Sequence, residues 1–159
     1  MKCSFLAIAC VLLLSACGGP TPTSPTAIPV SELRSAPTRT VADGKSLSIA
    51  ASLWRDFMPI SPPDGHPLGG VLTIATDDGS PVPAGVTADT SWVIHKADVW
   101  STTVEQRSRA ETAPIYEVVV RNGPKWGPHV AVDVVVRLRD SAGRVFLLRA
   151  AGQSIGATW

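Results

Sequence analysis

The feature that most constrains the fold of this chain is a run of alternating side chains at positions 130–139. The apolar positions are Val130, Val132, Val134, Val136 and Leu138, and polar residues at Asp133, Arg137 and Arg139 lie between them. A period of two places alternate side chains on opposite faces of a strand. The run therefore predicts a strand with one face buried in an apolar core.

The residues that follow predict a hairpin. Asp140, Ser141, Ala142 and Gly143 favour a short turn, because glycine readily takes the left-handed conformation that a bulged hairpin needs. The apolar segment 145–150 then predicts the returning strand.

Five other segments have the composition or alternation of strands: 46–53, 71–76, 92–100, 102–107 and 115–121. We expect the break between the third and the fourth near residues 98–101. No segment shows a sustained apolar stripe of helical period. About seven strands separated by turns rich in glycine and proline predict an all-β fold, a single β-sandwich over residues 46–159.

One part of this region carries a resemblance. Residues 70–85, with Asp78, Gly79, Ser80 and Pro81 at the turn, are similar to the strand-turn-strand units of bacterial Ig-like and prealbumin-like domains. The resemblance implies an Ig-like or prealbumin-like sandwich. The disulfide of antibody domains is absent, so any kinship is architectural.

The first seventeen residues predict an export signal. Lys2 supplies a positive charge, residues 5–14 are apolar, and small residues precede Cys17. The apolar stretch is shorter than the roughly 20 residues that a membrane-spanning helix needs. An ordinary secretory signal, in which Cys17 has no special role, is the alternative to a lipoprotein signal.

The sequence Leu14, Ser15, Ala16 and Cys17 resembles the lipobox of bacterial lipoproteins. The resemblance implies cleavage before Cys17, a diacylglycerol on its sulfur and an acyl chain on its new amino group. It predicts a signal peptide at 1–16 and anchoring to a membrane of the cell envelope through Cys17. Because Gly18 rather than aspartate follows, we expect the outer membrane in a host that has one, facing the periplasm or the cell surface.

Residues 17–45 predict a linker between the anchor and the domain. Prolines at 20, 22, 25, 29 and 37 are interleaved with threonine and serine. Proline fixes φ and removes a donor, and the small polar residues offer little apolar surface to bury. We therefore expect an unstructured tether with polyproline II bias and a folded domain beginning at Ser46.

Cysteine and charge exclude several classes of protein. Cys3 and Cys10 lie in the predicted signal, which leaves Cys17 alone and makes an internal disulfide impossible. Without Lys2, the chain's fourteen basic residues become thirteen, against thirteen acidic ones. With no basic block, nucleic acid is not an expected partner. We expect no cofactor.

Candidate catalytic residues are few. Residues 152–156 match the G-x-S-x-G pattern of a nucleophile elbow, but no histidine follows Ser154 as that motif requires. The alternative order His95, Asp133 and Ser154 stays open, and a small serine hydrolase is the weakest of three hypotheses. We expect no enzyme activity.

A metal site is not expected either. His66, His95 and His129 do not have the spacing of metal ligands. Asp77 and Asp78 precede a glycine, which favours a turn over a calcium site.

The segment 123–129 is the strongest candidate for a binding loop. Its prolines and glycines predict a stiff loop that presents Trp126 beside Lys125 and His129. Trp126 could offer a flat face to a sugar ring. The favoured alternative is that Trp126 folds back to cap the core, since tryptophans are buried on average.

These observations predict a non-catalytic, lipid-anchored binding or assembly module of the cell envelope, whose partner is an envelope protein or a glycan. Carbohydrate or peptidoglycan binding through the 123–129 loop is the alternative.

Overall fold

The computed structural model describes residues 28–108 and 114–159, and within them it is almost entirely β. The elements are α1 (Val30–Ser35), β1 (Arg39–Ala42), β2 (Lys45–Asp56), β3 (Leu68–Thr76), β4 (Thr87–His95), β5 (Asp98–Thr103), β6 (Glu105–Ser108), β7 (Ile115–Gly123), β8 (Ala131–Arg139) and β9 (Val145–Thr158). The all-β prediction is confirmed. In the described part of the chain, no helix has the length and apolar character needed to cross a bilayer. Cys17 and its signal lie outside the described residues.

The strands form one sheet that folds over on itself. Its order is β5-β4-β8-β9-β2-β3-β7-β6, with β1 paired to β2. Strand β9 joins the two halves: its first part pairs antiparallel with β8, and its last residues pair parallel with β2, from Leu53 opposite Ile155 to Asp56 opposite Thr158. Side chains from both halves share one apolar core, as in a β-sandwich.

The alternation that predicted β8 is present in the structure. Val134, Val136 and Leu138 are fully buried in the shared core. Asp133 and Arg137, on the opposite face, are half-buried. Val135 on that opposite face is also fully buried, because a second apolar cluster covers it. The alternation was readable from sequence because residues that face the shared core repeat every two positions.

The N-terminal boundary of the folded unit needs correction, because α1 and β1 lie within the expected 17–45 tether. Leu33 is fully buried and packs with Trp92, Ile94 and Val135 on the outer face of β4 and β8. Arg34 fixes the helix by donating to the carbonyl of Lys96. The folded unit therefore begins well before Ser46, because this apolar sheet face is covered by residues from the proline-rich segment.

Two strand boundaries also differ from those predicted. The break expected near 98–101 lies at residues 96–97, where Lys96 has a φ of 53° and His95 pairs with Asp98 in a tight hairpin. The 70–85 segment is not a strand-turn-strand unit, because β3 ends at Thr76 and β4 begins only at Thr87. Strand β1 and the β5–β6 junction at Val104 add two strands, so the described residues form nine strands instead of about seven.

Candidate functional site

The 123–129 loop closes one end of the sandwich. Trp126 is half-buried against the shared core, and its ring centroid lies 5.4 Å from that of His95. The indole thus packs onto the protein instead of presenting both faces to solvent.

The other two binding residues predicted in this loop, Lys125 and His129, contact different parts of the protein. Lys125 Nζ lies 2.6 Å from Asp64 Oδ2, and this hydrogen bond is the main cause that lowers the pKa of the Asp64 carboxyl. His129 is exposed and has a φ of 66°, and its backbone N–H donates to the carbonyl of Ile155. Lys125, Trp126 and His129 do not line the groove described below.

Beneath the loop lies a buried cation that the sequence reasoning missed. Arg55 is only 4% exposed and donates to backbone carbonyls alone. Its Nε donates to His66 O at 3.0 Å, its Nη1 to Lys125 O at 3.1 Å and Gly127 O at 3.0 Å, and its Nη2 to Asp64 O. Arg55 therefore joins the β2–β3 loop to the 123–129 loop.

The sequence did carry a signal for this residue. Extending the alternation of β2 beyond Leu53 places Arg55 on the inward face of the strand. A charged side chain at an inward position needs several hydrogen-bond partners, since burying an unpaired charge is costly. The partners are carbonyls of distant loops, which the alternation alone does not identify.

A groove of about 450 Å³ lies near the same end of the molecule, on the outer face of the β2-β3-β7 sheet. Trp54 of β2 forms one wall, and the opposite wall comes from β6 and β7. Val71 and Val119 form an apolar floor and are only 9% and 7% exposed. Asp56 and His66 lie where β2 and the β2–β3 loop border the groove.

The groove is accessible beside Trp54 because the residue opposite this tryptophan is a glycine. Trp54 pairs with Gly69 across β2 and β3. A Cβ at Gly69 would have a single neighbour within 4 Å, the carbonyl oxygen of Val120 at 3.6 Å. The indole of Trp54 therefore does not lie over Gly69, and the space between them is accessible.

Irregularities in two strands bring arginines to the opposite wall. Between β3 and β7 the register shifts so that Arg121 and Asn122 together oppose Gly69, and Asn122 has a φ of 62°. Between β6 and β7 the register shifts at Arg107. Bulges redirect side chains and are frequent beside binding sites. These shifts are set by strand pairing, which the pattern of side chains along the chain does not show.

The charges of the groove are mostly positive. Arg107 makes no ion pair with any residue of the described ranges, and Arg121 Nε lies 3.5 Å from Glu105 Oε2 in an exposed pair. The backbone N–H of Met58 is the main cause that lowers the pKa of Asp56, which also accepts from the Thr158 hydroxyl at 3.0 Å. The groove thus combines an indole, an apolar floor, two guanidinium groups and one carboxylate.

The structure also places the candidate catalytic residues. Ser154 is exposed within β9, which continues to Thr158, so residues 152–156 do not form a strand-to-helix elbow. His95 is half-buried beside Trp126.

No metal centre is found in the part of the chain that the structure describes, where no three histidine, cysteine, aspartate or glutamate side chains form a metal-binding group. Asp77 accepts from Ser46 and pairs with Arg39. Asp78 accepts from Ser80 and pairs with Lys45. Both carboxylates therefore join the segment after β3 to β1 and β2, and Asp78 also holds the turn through Ser80.

Comparison of the chain with protein-family models, curated proteins and solved structures gives no match. The assignment of function rests on the groove and on the N-terminal sequence.

Proposed function

We propose that this protein is a lipid-anchored, non-catalytic binding module of the bacterial cell envelope, and that the groove beside Trp54 is its ligand site. The observation that carries the proposal is the groove itself. Its volume of about 450 Å³ lies within the range of sites for small ligands, roughly 300–1,000 Å³. Its lining joins apolar surface to a few polar groups, as such sites require.

The anchor is the second part of the proposal. The resemblance to a lipobox at Cys17 supports lipidation, and Gly18 supports sorting to the outer membrane in a host that has one. Because Ile28 already packs against the folded unit, residues 18–27 are all that separate it from Cys17. A chain of this length spans at most about 40 Å. The module would therefore work close to its membrane.

The groove is a better candidate than the 123–129 loop. Trp126 packs on the core, Lys125 pairs with Asp64, and the carbonyls of Lys125 and Gly127 are engaged by Arg55. These contacts engage the Lys125 ammonium group and two of the loop's carbonyls within the protein, and they leave the His129 side chain exposed. Trp54 and Arg107, in contrast, border open space.

The proposal is tested by replacing His66, an exposed residue of the groove, with the photoreactive amino acid benzoylphenylalanine in living cells. Irradiation is expected to give a discrete adduct, visible as a mass increase, which weakens when Trp54→Ala is added. The matched control carries the same amino acid at Val145, which is 51% exposed and lies outside the groove. Equal adducts at both positions, or none at His66, would contradict the proposal.

A further inference from the structure

We infer that the ligand of the groove is an acidic saccharide, a chain of sugar rings that carries carboxylate groups. This inference rests on the proposed function and specifies its ligand. It follows from three features: an apolar surface beside an indole, a pair of guanidinium groups, and a central strand whose backbone is paired on both sides.

The flat surface suits a sugar ring. The indole of Trp54 borders the open space over Gly69, and the largely buried Val71 and Val119 line the bottom of the groove. An aromatic face packs against the C–H face of a pyranose, and its N–H can orient a hydroxyl. A side chain at Gly69 would occupy the position where such a ring would rest.

The guanidinium groups suit a carboxylate. A guanidinium forms two parallel hydrogen bonds with a carboxylate, which fixes both the position and the orientation of the anion. Arg107 has no acidic partner in the described ranges. Arg121 has Glu105 at 3.5 Å, with side chains 65% and 70% exposed, and such surface pairs contribute little. Both arginines are therefore available to a ligand.

The strand pairing argues against an extended peptide. Peptides commonly bind sheets by adding a strand to an exposed edge. At the bottom of the groove, β3 is paired with β2 on one side and with β7 on the other, so a ligand that rests beside Trp54 meets no free strand edge there; the edge of the sheet, β6, lies beyond β7. The polar groups left for a ligand are side chains such as Asp56, His66 and Asn122, which can accept from or donate to hydroxyls.

The inference is tested by calorimetric titration of the full-length protein in detergent micelles. The acidic probes are tetragalacturonate and a glycan fragment containing free N-acetylmuramic acid, and the comparison probe is tetragalacturonate with its carboxylates methyl-esterified. We expect at least one acidic probe to bind. For tetragalacturonate, esterification should weaken binding by about tenfold or more, as expected when charge-assisted hydrogen bonds are lost.

Variants locate the site. Arg107→Gln and Arg121→Gln are each expected to weaken binding of the acidic probe about tenfold. Gly69→Val, which fills the floor, and Trp54→Ala are expected to abolish it. Arg39→Gln serves as the matched control, since this arginine is 71% exposed and lies outside the groove. Thermal unfolding of each variant checks that it is folded.

The outcomes separate this inference from the proposed function. Equal affinity for tetragalacturonate and its methyl ester, or unchanged binding in both arginine variants, would overturn the acidic saccharide. A further probe, tetraglutamate, is an acidic peptide. If it binds while both acidic saccharides fail to bind, the acidic saccharide is also overturned, although the groove remains a binding site. Failure of every probe overturns the inference, and the absence of an adduct at His66 overturns the proposed function as well.

Discussion

At the scale of single residues, Arg55 is the side chain that joins the β2–β3 loop to the 123–129 loop. Replacing it with methionine keeps an unbranched, flexible side chain but removes every donor to the carbonyls of Asp64, His66, Lys125 and Gly127. We expect Arg55→Met to lower the free energy of unfolding by about 3 kcal/mol, because carbonyls beside a buried side chain lose their partners.

Urea denaturation at pH 7 measures this loss. Arg39→Met is the matched control, since Arg39 is 71% exposed and its loss should change stability by less than about 0.5 kcal/mol. A similar small effect at Arg55 would show that its hydrogen bonds do not stabilise the fold.

Asp140 gives a prediction about pH. Burial alone would raise the pKa of this carboxyl, but hydrogen bonds from the backbone N–H and guanidinium of Arg144 and from the Ala142 N–H hold it below its ordinary value of 3.8. The unfolded chain then binds a proton more readily than the folded protein. The stabilisation is present above pH 3.8 and is lost as the pH falls through the lower, folded-state pKa.

We therefore expect the melting temperature to fall as the pH is lowered from 5 to 2, and to fall less steeply in Asp140→Asn, which starts lower at pH 7. Circular dichroism melts across this range measure both slopes. Asp98→Asn, a change at an exposed β5 position, should keep the slope of the natural protein. An undiminished slope in Asp140→Asn would rule out this carboxyl as a source of acid sensitivity.

At the scale of elements, neighbouring glycines of β3 test the pairing that builds the groove. A Cβ at Gly70 would lie 2.8 Å from the carbonyl oxygen of Ser52 and would clash with Leu53, whereas a Cβ at Gly69 would be in ordinary contact. We expect Gly70→Ala to destabilise the protein by about 2 kcal/mol through overpacking. Gly69→Ala should be within about 0.5 kcal/mol of neutral.

Chemical denaturation of both variants under the same conditions provides the comparison. The two positions are adjacent but face opposite sides of the sheet, so a strand shifted by one residue would exchange the two results. That exchange would contradict the register, and with it the position of Trp54 beside an open floor.

Strands with apolar residues at alternate, core-facing positions were the predictable part of this fold. The alternations of β2 and β8 follow directly from a period of two, and Gly143, with a φ of 77°, takes the left-handed conformation expected of the turn. The composition of the proline-rich segment concealed α1, because the burial of Leu33 depends on an apolar sheet face contributed by β4 and β8.

The site was less predictable than the fold. Trp126 drew attention as an aromatic residue in a stiff loop, but its contacts lie with the core. Trp54 was hidden among the outward residues of β2. Its neighbours Gly69, Arg107 and Arg121 come from separate strands, and only the register and its shifts bring them together.

At the scale of the whole molecule, β2 separates the side chains that stabilise the fold from the one that lines the proposed binding groove. Its inward side chains, Leu53 and Arg55, hold the core and the loops at one end, while Trp54 between them faces the groove. Changes to the groove wall can therefore alter binding with little effect on the fold.

The proposed lipid anchor can be tested at Cys17. We expect Cys17→Ser to abolish incorporation of an alkyne-labelled fatty acid and to move the protein from the membrane fraction to the soluble fraction. Cys10→Ser is the matched control, since Cys10 lies in the apolar part of the signal and should leave labelling intact. Labelling that persists in Cys17→Ser would contradict lipidation at this residue.

The same variant separates anchoring from recognition. Because the groove belongs to the folded unit, purified Cys17→Ser should bind an acidic probe as tightly as the natural protein does. In cells its His66 adduct should nevertheless decline, because the tether no longer holds the groove within about 40 Å of the membrane. An adduct of full strength without the lipid would mean that the ligand is not confined to the membrane surface, and that the anchor serves retention alone.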